Sequence, residues 1–216
     1  MPASEHEEST SKPLPLNANG FNADVILPCG LEAQHIRTAM KQFLDYLTFI
    51  NSQSLKRGLQ RLEIMLMPAN FSSLVGEFMV SQIGKACPSM VRNRYHNGYP
   101  DLIPAGTFTN DAVQRGDEGI EVKASRHLSG WQGHNPELGW LMVFMFDANS
   151  QKDEEEGNPP RPFRFRKVAA ALLEETDWSF SGRSEKSRRT ITASVIRSGR
   201  DKMMANWIYD EEPGLL

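Results

Sequence analysis

The chain has 216 residues, 24 Lys plus Arg against 27 Asp plus Glu, five His and two Cys, for a formal charge of −3. That describes one soluble globular domain, with or without tails, long enough to bury a core unaided by disulfides. No apolar run reaches the roughly 18–20 residues of a membrane span, the acidic first eleven residues do not resemble a secretory signal, and Cys29 and Cys87 are too few for a zinc set; the expected setting is cytoplasmic, with both thiols reduced.

Residues 1–20 are rich in Pro, Ser and Glu and poor in large apolar groups, and read as a flexible tail. From Leu31 the pattern changes. Ile36, Met40, Phe43, Leu44, Leu47 and Ile50 recur at three- and four-residue intervals, which predicts a helix over 30–50. Leu55, Leu59, Leu62 and Leu66 predict a second over 52–66. A third runs over 70–86, starting after Pro68 and ending before Pro88, with Leu74, Phe78 and Ile83 inward.

Strand signals follow at 99–103, after the turn pair Asn97-Gly98, and at 119–125, where Ile-Glu-Val-Lys-Ala alternates strictly. The apolar run at 140–146 suits a buried central strand. A polar, acidic, Pro-rich loop is expected at 151–162, strands at 163–173 and 189–196, and a closing helix at 200–209. The order implies an α/β (α+β) architecture in which helices flank a central sheet. Residues 21–68 form an N-terminal helical layer, and residues 69–216 the core.

The chemistry is concentrated in Pro100-Asp101 and Glu121-Val122-Lys123. Strand residues two apart share a face, so Glu121 and Lys123 project together while Ile120, Val122 and Ala124 point the other way. If the two strands pair, Asp101 reaches the same surface and forms a carboxylate pair with Glu121. Two close carboxylates repel unless a cation neutralises them, and hard oxygen donors favour Mg²⁺, with Mn²⁺ as a substitute. Lys123 is then placed to orient or deprotonate a water beside a phosphoryl group. The alternative is a solvated strand face carrying a Glu121–Lys123 ion pair, with Asp101 in a turn.

These residues resemble the PD-(D/E)xK nuclease superfamily, which includes many type II restriction endonucleases and repair nucleases. The resemblance spans roughly 70–175 and implies a restriction-endonuclease-like central mixed sheet. It implies that Asp101 and Glu121 bind the divalent metal, that the Val122 carbonyl is a further ligand, and that Lys123 is the catalytic lysine. Many members also carry a Glu on a helix before the first core strand, the place of Glu77.

Around this motif, Arg126, His127, Gln132 and His134 are candidate nucleic-acid contacts, and Trp131 a stacking or core residue. His96 lies in a basic aromatic loop, Arg92-Asn93-Arg94-Tyr95-His96, of a kind suited to phosphate or to an ordinary surface turn. A net charge near zero speaks against a nucleic-acid partner, but its distribution does not. Residues 161–202 carry eleven cationic and five acidic side chains, +6, leaving −9 elsewhere. Within that segment Arg183, Lys186, Arg188 and Arg189 are the candidate DNA contacts, a solvated basic face being the alternative. The reading is a Mg²⁺-dependent endonuclease acting on double-stranded DNA as a homodimer, of the type II restriction kind. A repair or structure-specific nuclease, or a catalytically silent nucleic-acid-binding module, are the alternatives.

Overall fold

The computed structural model describes residues 10–133, 136, 138–181 and 192–213. The chain is mixed α/β, with N-terminal helices packed on a six-stranded mixed sheet and a small antiparallel sheet beyond it.

Helix α1 (Ala33–Leu55) buries Ile36, Met40, Phe43, Leu44 and Leu47 of the predicted stripe together with Ala39, and leaves Ile50 half-buried. It runs further than its predicted end. Gly58, at φ +69°, stops it: the Gly58 N–H bonds Leu55 O, and the Leu59 N–H turns back to Ser54 O. These are the paired bonds of a Schellman cap, in which glycine takes the left-handed conformation at least cost. The second predicted helix therefore shrinks to α2 (Leu62–Met65), and Leu59 is left half exposed. Helix α3 (Pro68–Ala86) begins with Pro68 in its first turn, where the missing N–H costs nothing, and buries Phe71, Val75, Gly76, Met79, Val80 and Ile83.

The strands are β1 (Met90–Arg92), β2 (Leu102–Pro104), β3 (Ile120–Ser125), β4 (Gln132–Gly133), β5 (Gly139–Asp147), β6 (Arg164–Leu173), β7 (Trp178–Ser181), β8 (Thr192–Val195) and β9 (Trp207–Asp210). The main sheet has the order β1-β2-β3-β5-β6-β9, parallel only between β3 and β5. Strand β5 is covered on both faces, which is why its sequence is apolar without alternation. Met142, Phe144 and Phe146 face α1 and α3, and Leu141, Val143 and Met145 face a second core containing Trp131, Trp178, Val195 and Met203. That second core is roofed by the small sheet β4-β8-β7 and by helix α5 (Arg197–Ala205).

Three expectations are corrected. Residues 10–20 are held on the body and form no free tail: Thr10 and Ser11 are buried, the Leu14 N–H bonds Phe163 O, and the Asn17 N–H bonds the Tyr209 hydroxyl. The acidic loop contains a short helix, α4 (Gln151–Glu155), capped by Ser150. The closing helix ends at Ala205, because Asn206 spends its side chain on Ala170 O and on both backbone groups of Ile26. Residues 207–210 then add a strand to β6.

The helical layer and the sheet share one core, in which Phe43 touches Phe78, Phe163 and Phe165 at ring centroid distances of 5.2–5.7 Å. A buried polar knot reinforces the junction. Asn51 bonds Glu63 and the Leu62 N–H, while Arg61 reaches Glu63, Asn149 and the carbonyls of Thr10 and Arg161. Burial raises the Glu63 carboxyl above its ordinary range despite Arg61.

Candidate active site

Strand β2 pairs with β3 only at Leu102 opposite Ile120. Beyond that point the strands part, and the edge of β3 opens into a cleft of about 560 Å³ whose far wall is α3. Ser72, Ser73 and Glu77 line it from the helix, and Asp101, Glu121 and Lys123 from the strands.

Each acidic group is positioned by a nameable device. Asp101 Oδ2 accepts the Val122 N–H at 2.9 Å, occupying the backbone donor that β2 leaves unpaired. A strand residue presents its N–H and C=O along the same edge, so the Val122 carbonyl shares the edge that faces Asp101. Glu121 and Lys123 lie in register with Leu141 and Val143, on the face opposite Ile120 and Val122, as the alternation predicts. The Lys123 ammonium donates to Glu121 Oε1 at 3.1 Å, with both side chains mostly buried.

The peptide before Pro100 is cis. Two features keep the Asp101 segment in place. Gly119, at φ +137°, lies so close that a Cβ there would sit 2.2 Å from Leu102 O and 2.5 Å from Pro100 Cγ. Asn93 is the hub: its amide donates to Pro100 O and Val113 O, its Oδ1 accepts from the N–H groups of Tyr95 and Val113, and its own N–H bonds Asp101 O. Its sequence gave no sign of this, since an Asn among Arg, Tyr and His looks like any surface loop residue. Only the fold makes it buried.

Burial, and then the Glu121 charge, lifts the Asp101 carboxyl to about 7; the Val122 N–H and Lys123 pull it down without cancelling the rise, and Glu77 adds to it. Two carboxylates, only one of them paired with Lys123, and a backbone carbonyl edge are hard oxygen donors, a donor set that fits Mg²⁺ or Mn²⁺. Among the described residues no group of three or more His, Cys, Asp or Glu is arranged to hold a metal ion. A divalent cation on Asp101, Glu121 and Val122 would therefore keep much of its shell as water and substrate oxygen, as Mg²⁺ commonly does.

Glu77 is in the same cleft, but its carboxylate is engaged by Arg92 Nη2 across the surface, both side chains being more than half exposed. A second hollow, of about 540 Å³, adjoins the first and shares Glu77, Val80, Asn97 and Asp101 with it. Arg92, Arg94, Tyr95 and His96 form its other side.

The flanking candidates are dispersed. Arg126 turns inward: its guanidinium is half buried among Glu63, Asp147, Asp153 and Arg161, its Nη2 is buried without a hydrogen bond, and burial lowers its pKa. His127 and Gln132 are exposed. Trp131 is core, donating Nε1–H to His127 O at 3.0 Å. His134, Arg183, Lys186, Arg188 and Arg189 lie outside the described residues. The rest of the basic segment is largely committed locally: Arg161 and Arg164 pair with Asp147, Lys167 with Asp210, Arg197 and Arg200 with Asp201, and Lys202 with Glu174 and Asp177. No helix among the described residues is long and apolar enough to cross a membrane.

The chain matches no protein-family model, and no curated protein matches it.

Proposed function

We propose that the protein is a metal-dependent nuclease that hydrolyses phosphodiester bonds, with double-stranded DNA as substrate and Mg²⁺, or Mn²⁺ in its place, as cofactor. The observation that carries this reading is the meeting of Asp101, Glu121 and Lys123 at the opened edge of β3, with Asp101 pushed to about 7 by burial and its acidic neighbour. A buried carboxylate held beside a second one is a poor structural device. It suits a site that spends much of its life bound to a cation.

In this reading Asp101, Glu121 and the Val122 carbonyl hold the metal, which when bound supplies Lewis-acid polarisation of the phosphoryl oxygen and a more acidic water. Lys123, anchored on Glu121, orients the attacking water and offsets the charge that grows on the phosphoryl oxygens. The Asp101–Val122 bond keeps the first carboxylate from swinging away. Water oxygen forms the new bond to phosphorus, one phosphoester bond breaks, and the leaving alkoxide takes up a proton.

Within nucleases, a type II restriction endonuclease acting as a homodimer is the preferred assignment. Cutting both strands in one binding event generally takes two active sites, which a homodimer with two-fold symmetry supplies. The helical layer exposes Phe49, Leu59, Met65 and Met67, apolar surface available to a second copy. A repair or structure-specific nuclease uses the same site, and a silent binding module would keep the fold alone. Incubation of purified protein with plasmid DNA and Mg²⁺, followed by sequencing of the ends, separates them. Discrete ends are expected; a smear or junction-only cutting moves the assignment to the second reading. Absence of any Mg²⁺- or Mn²⁺-dependent cleavage overturns the enzyme reading.

A further inference from the structure

The second hollow lies beside the metal position and opens into the catalytic cleft along Glu77, Val80, Asn97 and Asp101. Its outer wall is the loop that follows β1, with Arg94, Tyr95 and His96 all exposed. This loop is pre-shaped. Asn93 Oδ1 takes the Tyr95 N–H, the Arg94 N–H bonds Asp111 O, the Gly98 N–H bonds Tyr95 O, and Asn97 sits at φ +56°. A loop whose backbone is already fixed loses little entropy when its side chains engage a ligand.

The charges on this wall differ from those elsewhere. Arg92 is shared with Glu77, but neither Arg94 nor His96 pairs with a carboxylate among the described residues. The described cations of the C-terminal basic segment are, by contrast, mostly neutralised where they stand. An uncommitted guanidinium lining a hollow of about 540 Å³ is a phosphate-binding arrangement, because its fork of donors matches two phosphoryl oxygens.

We infer that this hollow, through Arg94 and His96, binds the sugar–phosphate backbone of the substrate strand beside the phosphate held at Asp101 and Glu121. The inference rests on the nuclease reading for what lies in the neighbouring cleft. The hollow contacts backbone and not base edges, so it contributes affinity and register irrespective of sequence. It also places a cation, Arg94, beside the cluster of carboxylates to which a chain of net negative charge would have to bring a polyanion.

The test is binding of a fluorescently labelled random-sequence DNA duplex across a salt series, with Ca²⁺ in place of Mg²⁺, by wild type, Arg94→Ala, Arg94→Lys, His96→Ala and Lys152→Ala. Lys152 lies on α4, outside both hollows, and controls for loss of one positive charge. Arg94→Ala is expected to weaken binding roughly tenfold and to reduce the slope of log K against log salt by about one. Arg94→Lys should keep the slope while losing part of the affinity, His96→Ala should weaken binding several-fold, and Lys152→Ala should match wild type. Unchanged affinity and slope in Arg94→Ala, with wild type cutting DNA in Mg²⁺, overturns this hollow as a phosphate site and leaves the nuclease reading standing. The expected binding losses without any cleavage by wild type support the hollow and overturn the nuclease reading instead. Equal losses in Lys152→Ala would reduce the effect to net charge and also overturn the assignment.

Discussion

Asp101 Oδ2 receives the Val122 N–H at 2.9 Å, just past the one pair, Leu102 and Ile120, at which β2 meets β3. A side chain thus does the work of a missing backbone acceptor, and the carboxylate is tied to the strand that carries Glu121 and Lys123. The bond favours the ionised carboxylate; burial and Glu121 oppose it more strongly, and the group titrates near 7.

The pH dependence of stability follows with a definite sign. Asp101 binds its proton more tightly in the folded than in the unfolded chain, so between about 3.8 and 7 the folded state holds more protons, and stability from this group falls as pH rises through that window. Above 7 the full cost is present. Asp101→Asn, which removes the charge and keeps an acceptor for Val122, should raise the metal-free Tm by several degrees at pH 8 and by much less at pH 5. Mg²⁺ or Mn²⁺ should stabilise wild type and not the variant, with wild type binding weakening below pH 7. Differential scanning fluorimetry at both pH values reads all of these; a lower Tm for the variant at pH 8 would refute the argument.

Lys123 and Glu121 are expected to separate turnover from folding. Lys123→Met and Glu121→Gln should each lower cleavage by at least 10²-fold, the scale of a lost general acid–base or charge-stabilising group. DNA affinity measured with Ca²⁺ should change less than tenfold in Lys123→Met. Cleavage within a few-fold of wild type in either variant would contradict their assigned roles.

Asn93 and Gly119 should behave as supports of the Asp101 segment. Asn93→Ala removes four side-chain hydrogen bonds to buried or half-buried backbone groups and is expected to cost about 3 kcal/mol. Gly119→Ala meets both a positive φ and the Leu102 carbonyl, and should cost about 2 kcal/mol or more. Gly76→Ala, whose new methyl would lie 3.9 Å from the Ala124 N, should be neutral or slightly stabilising, because alanine is the better helix former. Urea unfolding of the three variants gives the comparison directly.

Arg92→Ala tests the ion pair at the mouth of the cleft. With both partners more than half exposed, its loss should change stability by less than about 1 kcal/mol. It also leaves the Glu77 carboxylate uncompensated beside Asp101, so Mn²⁺ affinity in the absence of DNA should rise several-fold. A titration followed by electron paramagnetic resonance would show it, and unchanged affinity would mean that Glu77 does not feel the metal position.

Much of the site was legible because strand alternation is a short-range rule. Glu121 and Lys123 had to share a face once residues 120–125 formed a strand, and the apolar run at 140–146 had to be interior. The partnership of Asp101 with Val122 depends on where β2 leaves β3, which no local pattern encodes. Nor could the sequence show that most of the described cations between Arg161 and Lys202 neutralise acids close to them in space, such as Asp147 and Asp210. Charge summed along the chain is blind to such pairing. The two-residue strand β4 and the stop at Asn206 were missed for a related reason: each is set by a tertiary partner and has no period of its own.

The stitching of Asn17 to Tyr209 and Glu211 joins groups separated by 192 and 194 positions. A ribosome delivers the first of these long before the last. Until β9 is made, Asn17, Gly20 and Asn22 have no partners for the bonds they finally form with Tyr209, Asp210 and Trp207. The loop-closure entropy of the longest contacts is met only once β9 has been synthesised. The strap across the outside of β9 therefore works as a clasp, fastened only on a chain whose sheet has been built as far as β9.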